Sequence, residues 1–183
     1  MLEYAQIQTQ RPQKAIMEKI DILRRTDIFF DLTTTQLEML ASICDEQAVK
    51  LGDIIFEENT SGDEMYVIAR GAVEVLVDPT MVGGPGARKR GAGPVTIATL
   101  RAGQTFGEIS LVDQGLRTAS ARCAETDTHV LKIPRSKFMK LCDTYPELGY
   151  RVMRNIAADL AFKIRGSDLA IREQLLWRPR PSG

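Results

Sequence analysis

The sequence predicts a mainly β protein, an antiparallel sandwich or barrel with helices at both ends. Short β-prone runs recur at regular spacing: Ala48-Val49-Lys50-Leu51, Ile54-Ile55-Phe56, Met65-Tyr66-Val67-Ile68-Ala69 and Val73-Glu74-Val75-Leu76-Val77. They are punctuated by Gly52, Gly62 and Gly71, the signature of short strands joined by turns. Before residue 45 and after residue 133 the apolar period becomes helical instead.

With 183 residues, the chain can bury one real core and carry flanking helices. Lys and Arg total 24 against 24 Asp and Glu, so no global charge attracts nucleic acid or an anionic membrane. Cys44, Cys123 and Cys142 are odd in number and widely spaced, which suits a reducing compartment and neither a disulfide framework nor a zinc site. His129 is the only histidine, which argues against a histidine-rich metal centre. No apolar run approaches membrane-spanning length, and Met1-Leu2-Glu3-Tyr4-Ala5-Gln6 lacks the basic start and apolar core of a signal peptide. The expectation is a soluble cytoplasmic protein with no metal, no cofactor, no nucleic-acid partner and no membrane span.

Taken in order, residues 1–12 are polar and expected to fray, ending at Arg11-Pro12. Residues 13–44 form a helical element. Ile16, Ile20 and Leu23 give one amphipathic helix, Thr26-Asp27 stops it, and Ile28-Phe29-Phe30 is an apolar hook for the β domain. Thr33, Thr34 or Thr35 caps a second helix bearing Leu37, Met39, Leu40 and Ile43. Residues 45–133 carry the strands, with Gly62-Asp63 and Arg70-Gly71 read as tight hairpin turns.

Asp78 to Pro94 is a long loop in which two glycine-rich segments bracket Arg88-Lys89-Arg90. No Gly-Lys-Ser/Thr follows the glycines, so this is not a triphosphate-binding loop. Val95 to Leu100, Thr118 to Ala124 and His129 to Ile133 complete the strands, with His129 read as a surface residue. Residues 134–177 are helical again. Pro134 starts one helix and Glu147 a longer one, whose Leu148, Val152, Ile156, Leu160 and Ile164 form a stripe facing the barrel. Gly166-Ser167 kinks or ends that helix, and Leu169, Ile171, Leu175, Leu176 and Trp177 form a second apolar set suited to an interface. Residues 178–183 are a tail.

The segment 106–121, Phe106-Gly107-Glu108-Ile109-Ser110-Leu111-Val112-Asp113-Gln114-Gly115-Leu116-Arg117-Thr118-Ala119-Ser120-Ala121, carries the chemistry. A glycine ahead of a one- or two-turn helix lets backbone N–H groups approach an anion. Arg117 adds a planar fork for two phosphate oxygens, and Glu108 is an acceptor suited to sugar hydroxyls. A salt-bridged strand-turn-strand in another jelly roll is the competing reading.

This segment resembles the phosphate-binding cassette of cyclic nucleotide-binding domains, catabolite-activator-like and cyclic nucleotide-gated-channel-like. The Glu108-to-Arg117 spacing equals the family's, and Arg117-Thr118-Ala119-Ser120 resembles the ion-channel and cGMP-binding versions. Leu116 departs from the family's common proline. The resemblance implies an antiparallel β-roll (a double-stranded jelly roll) with N-terminal helices and C-terminal hinge and lid helices. It implies that Glu108 holds the ribose 2′-hydroxyl and Arg117 the cyclic phosphate. Phe106, Gly107, Ile109, Ser110, Thr118 and Ala119 would complete the ligand-binding set, with Val75, Ala98, Leu100 and Asp159 at the base. Thr118 would meet a guanine 2-amino group, and Asp159 a base-reading lid position. As ordinary residues, the first three are plain core, Thr118 is a strand threonine and Asp159 is solvated.

The resulting expectation is a stand-alone cyclic nucleotide-binding sensor without helix-turn-helix, binding cAMP or cGMP. It would signal through lid-helix movement to an unknown effector or, as a homodimer through the C-terminal helices, to a second copy. A scaffold with a vestigial nucleotide pocket is the alternative. A cupin-like enzyme lacks its histidine cluster, so no catalytic residues are assigned.

Overall fold

The computed structural model describes residues 2–79 and 93–176, with no side-chain description for 2–12, 167, 170, 171 and 173–176. In chain order the elements are α1 (Leu2–Arg24), a 3-10 turn (Asp27–Phe29), α2 (Thr34–Ile43), β1 (Asp45–Val49), β2 (Ile54–Phe56), β3 (Glu64–Arg70), β4 (Ala72–Val77) and β5 (Val95–Arg101). There follow β6 (Thr105–Phe106), α3 (Glu108–Asp113), β7 (Ser120–Cys123), β8 (Thr128–Pro134), α4 (Arg135–Thr144) and α5 (Pro146–Leu176). The strands form two antiparallel four-stranded sheets, β1-β8-β3-β6 and β2-β7-β4-β5. This is the β-roll with flanking helices that the resemblance implied.

Period-two alternation on the central strands divides the apolar residues between two cores. On β3, Met65 and Val67 join the helical layer, while Tyr66 and Ile68 point into the roll. On β8, Leu131 and Ile133 face the helices and Val130 faces the roll. A strand buried on both faces reads in sequence as a continuous apolar run, and residues 65–69 are such a run. Ile20 and Leu23 of α1, Leu37 and Leu40 of α2, Phe138 of α4 and Leu148, Val152 and Ile156 of α5 close the helical layer. Leu111 of α3 is fully buried in the same cluster, so the cassette is packed directly onto the helices.

Local chemistry explains the helix boundaries. Thr33 caps α2: its side chain accepts from the Gln36 N–H, and the Gln36 side chain accepts from the Thr33 N–H at 2.9 Å. Asn155 of α5 donates to the Ile28 and Phe30 carbonyls, and Arg151 of α5 donates to the Asp31 carbonyl at 2.7 Å. Together they dock the 3-10 turn on α5.

Several expectations need correction. The first helix begins at Leu2, not near residue 13, so residues expected to fray belong to one continuous helix. Ile28 and Phe29 are buried, but Phe30 is 71% exposed and is not part of the hook. Gly62-Asp63 is no hairpin, because β2 and β3 lie in different sheets. Arg70-Gly71 is a tight turn, with Gly71 at φ 81°, but it passes the chain from one sheet to the other. The α5 stripe is buried at Leu148, Val152 and Ile156, whereas Ile164 is exposed: residues four apart drift around a helix of about 3.6 residues per turn, and near position 164 the face toward the roll carries Lys163 and Gly166 instead. Gly166-Ser167 does not interrupt α5.

Leu169 is exposed; the side chains of Ile171, Leu175 and Leu176, together with Trp177, the tail and Arg88-Lys89-Arg90, lie outside the described residues. Among the described residues no helix is long and apolar enough to cross a membrane.

Candidate ligand pocket

A cavity of about 600 Å³ opens between the β2-β7-β4-β5 sheet, the 106–121 segment and α5. Phe106, Gly107, Glu108, Ile109, Ser110, Arg117, Thr118 and Ala119 all line it, as do Val75, Ala98 and Leu100. Asp159 does not line it. Its carboxylate sits 2.8 Å from Lys163 Nζ, one turn further along α5, and Lys163 and Gly166 are the α5 residues on the cavity wall. Helical periodicity explains the correction: positions 159, 163 and 166 share one face, and the cavity meets only its C-terminal part.

Arg117 is set by its neighbours on both sides. Its backbone N–H donates to the Thr60 carbonyl and its carbonyl accepts from the Asn59 N–H, both at 2.8 Å. Its side chain is 2% exposed. Nη1 donates to the Gly107 carbonyl at 3.1 Å and Nη2 to the Glu64 carbonyl at 2.8 Å. Nη2 also lies 3.5 Å from Glu64 Oε1, which accepts from the Tyr66 hydroxyl at 2.9 Å. The guanidinium carbon stands 4.0 Å from the centre of the Phe56 ring, a cation–π arrangement.

Two glycines make room for this group. A Cβ on Gly62 would meet Nη2 at 2.7 Å, and one on Gly107 would meet Nη1 at 2.6 Å. Gly107 also adopts φ 78°, the left-handed region open to glycine, as it turns β6 into α3. Nε is buried without a hydrogen-bond partner among the described residues. A guanidinium has five N–H donors, so a buried one with unused donors on a cavity wall fits an anion.

Glu108 is the first residue of α3 and only 4% exposed. A buried carboxylate requires a partner. Lys163 Nζ supplies one, donating to Glu108 Oε1 at 2.7 Å from the other side of the cavity. Burial lowers the Lys163 ammonium pKa, but the Glu108 and Asp159 carboxylates outweigh that and hold it above the ordinary lysine value.

The remaining wall is apolar, formed by Phe56, Val75, Ile97, Ala98 and Leu100, with Thr118 and Ser120 also on it; the Ser120 hydroxyl accepts from the Glu58 N–H at 2.9 Å. Phe106 and Tyr66 stack at a centroid distance of 5.0 Å. One cavity therefore offers a guanidinium, a carboxylate and an apolar wall.

Sequence reasoning missed Phe56, Gly62, Glu64 and Lys163. The Asp159–Lys163 pair was readable as an i, i+4 charge pair. Nothing local marked Glu64, which acts through its backbone carbonyl and through a contact with Arg117, 53 residues away.

Residues 46–145 match the family described as cyclic nucleotide-binding domain. The chain is 31% identical over 149 residues to the cyclic AMP receptor protein of Thermus thermophilus, covering 81% of this chain and 62% of that protein. The crystal structure of the Thermus thermophilus catabolite activator protein superposes with TM-score 0.66 at 29% identity, covering 81% of this chain and 63% of that one. A cyclic nucleotide-binding domain from Methylobacillus flagellatus superposes with TM-score 0.72 over 92% of this chain and 88% of its own, a likeness of fold at 24% identity. The chain thus spans a little over three-fifths of the first two proteins, and the activities of those whole proteins do not transfer with it. With more than half of its length matched by the family and its fold superposing on a member's, the chain belongs to the cyclic nucleotide-binding domain family.

Proposed function

We propose that the cavity binds cAMP or cGMP and that the chain serves as a cytoplasmic regulatory sensor rather than a catalyst. The observation that carries this reading is the presence of Arg117 and Glu108 on the walls of one cavity of about 600 Å³. Arg117, with a buried unpartnered Nε, takes the cyclic phosphate, and Glu108 accepts from the ribose 2′-hydroxyl. Phe106, Gly107, Ile109, Ser110 and Ala119 shape the wall around the anion. Val75, Ala98 and Leu100 cover the purine. Thr118 offers a hydroxyl to a guanine 2-amino group, which admits cGMP beside cAMP.

Output runs through α5. It contacts the cavity through Lys163 and Gly166 and presents Phe162, Ile164 and Leu169 to solvent, a surface for an effector or a second copy. A ligand shifts the position of α5 only by binding one position better than another.

Calorimetric titration with cAMP and cGMP in parallel tests the reading. Saturable binding of one nucleotide per chain by at least one of them is expected. The absence of both binding heat and thermal shift with either would support the alternative, a scaffold whose polar groups, like Glu108 with Lys163, are satisfied internally.

A further inference from the structure

Lys163 stands out because it bridges two elements at the cavity. Glu108 and Lys163 are 55 residues apart and belong to the cassette helix and to α5, yet their charged atoms lie 2.7 Å apart. The environments are unequal: the Glu108 side chain is 5% exposed, whereas that of Lys163 is 44% exposed at the cavity rim. Asp159 stands 2.8 Å from the same ammonium and fixes it against α5.

A carboxylate this deep keeps its rotamer only while a cation stays beside it. With Oε1 engaged by Lys163, the second carboxylate oxygen can take a further donor. We propose that Lys163 is a positioning residue for the contact between Glu108 and a ligand's sugar hydroxyl, and that through it this contact is coupled to the seating of α5. This rests on the cyclic nucleotide reading of the pocket.

The coupling has a chemical signature. Loss of a merely structural residue weakens every ligand alike. Loss of a residue that orients Glu108 weakens only ligands carrying the hydroxyl that Glu108 receives. The contact can be removed from the ligand side, with a 2′-deoxy cyclic nucleotide, as well as from the protein side, and the two deletions form a cycle.

The test is calorimetry on the full chain with the tighter-binding of cAMP and cGMP and with its 2′-deoxy analogue, for wild type, Lys163→Met and Lys163→Arg. Wild type is expected to prefer the ribonucleotide by about ten- to a hundredfold, the range of a hydrogen bond to a charged group. Lys163→Met should bring that preference to within about threefold, mainly by weakening the ribonucleotide, and Lys163→Arg should keep most of it. Hydrogen exchange of α5 should rise in Lys163→Met and not in Lys163→Arg. An equal loss for both ligands in Lys163→Met, or an unchanged preference, would overturn the inference while leaving the pocket assignment standing. Failure of wild type to bind either nucleotide would overturn the pocket assignment and this inference with it.

Discussion

Gly62 lies flat against the guanidinium of Arg117, so that a Cβ at position 62 would occupy the space of Nε and Cζ. Gly62 is not in the left-handed region, so alanine suits its backbone, and the three nearest atoms its Cβ would meet all belong to the arginine. The Gly62→Ala variant should therefore fold, move Arg117 off the Glu64 carbonyl and weaken cyclic nucleotide binding by about tenfold or more. Denaturant unfolding should show a loss of about 1–3 kcal/mol, the cost of disturbing a buried donor's partners. Unchanged affinity would mean that the position of Arg117 is not what the ligand reads.

Gly107 should be less forgiving. It combines φ 78° with a Cβ position 2.6 Å from Arg117 Nη1 and 3.3 Å from the Glu64 carbonyl oxygen. Gly107→Ala adds about 1–2 kcal/mol of backbone strain to the displacement of the arginine. Its unfolding midpoint should fall below that of Gly62→Ala, a ranking that paired urea titrations check.

The α5 stripe ends partway along the helix. Leu148 is fully buried among the helical layer, so Leu148→Ala should cost about 2–5 kcal/mol. Ile164 is 62% exposed, so Ile164→Ala should stay within about 0.5 kcal/mol of wild type. Equal losses at both sites would show that the whole helix packs on the roll.

Burial raises the Cys44 thiol to about 12 and the Cys142 thiol to about 11, against an ordinary value of 9.0. Both should react with thiol reagents at pH 8 only after unfolding. The sign of the linkage follows: above pH 9.0 the unfolded chain loses these protons while the folded one keeps them. Lys163 and Tyr66, whose folded values also lie above their ordinary ones, act in the same direction. Stability should be full below pH 9 and fall steadily as pH rises from there toward 12, as unfolding titrations at a series of pH values would show.

What could be read in the sequence was what lies close along the chain. Phe106 to Ala121 places the glycine, the acid and the arginine within one segment, so residue type and spacing carried its chemistry. Regular glycine-separated strands gave the class of fold. The support of Arg117 was not legible, because Gly62, Glu64 and Phe56 meet it only after two sheets close around it. Gly62 in particular was misread as a turn, since its purpose is an absent side chain rather than a backbone angle. The α5 residue on the cavity wall lies one turn beyond the expected Asp159, at Lys163, because apolar spacing gives the face of a helix but not where along its length a cavity lies. The cap of α2 was ambiguous among three threonines until the reciprocal partner Gln36 selected Thr33.

In the proposed complex Arg117, a buried forked cation on the cavity wall, receives the ligand's phosphate. Calorimetric titration of wild type, Arg117→Lys and Arg117→Ala with the preferred cyclic nucleotide tests it most directly. Both variants should lose about tenfold or more in affinity, since lysine keeps the charge but not the fork, and alanine should lose the most. Affinity that is the same in all three proteins would contradict it.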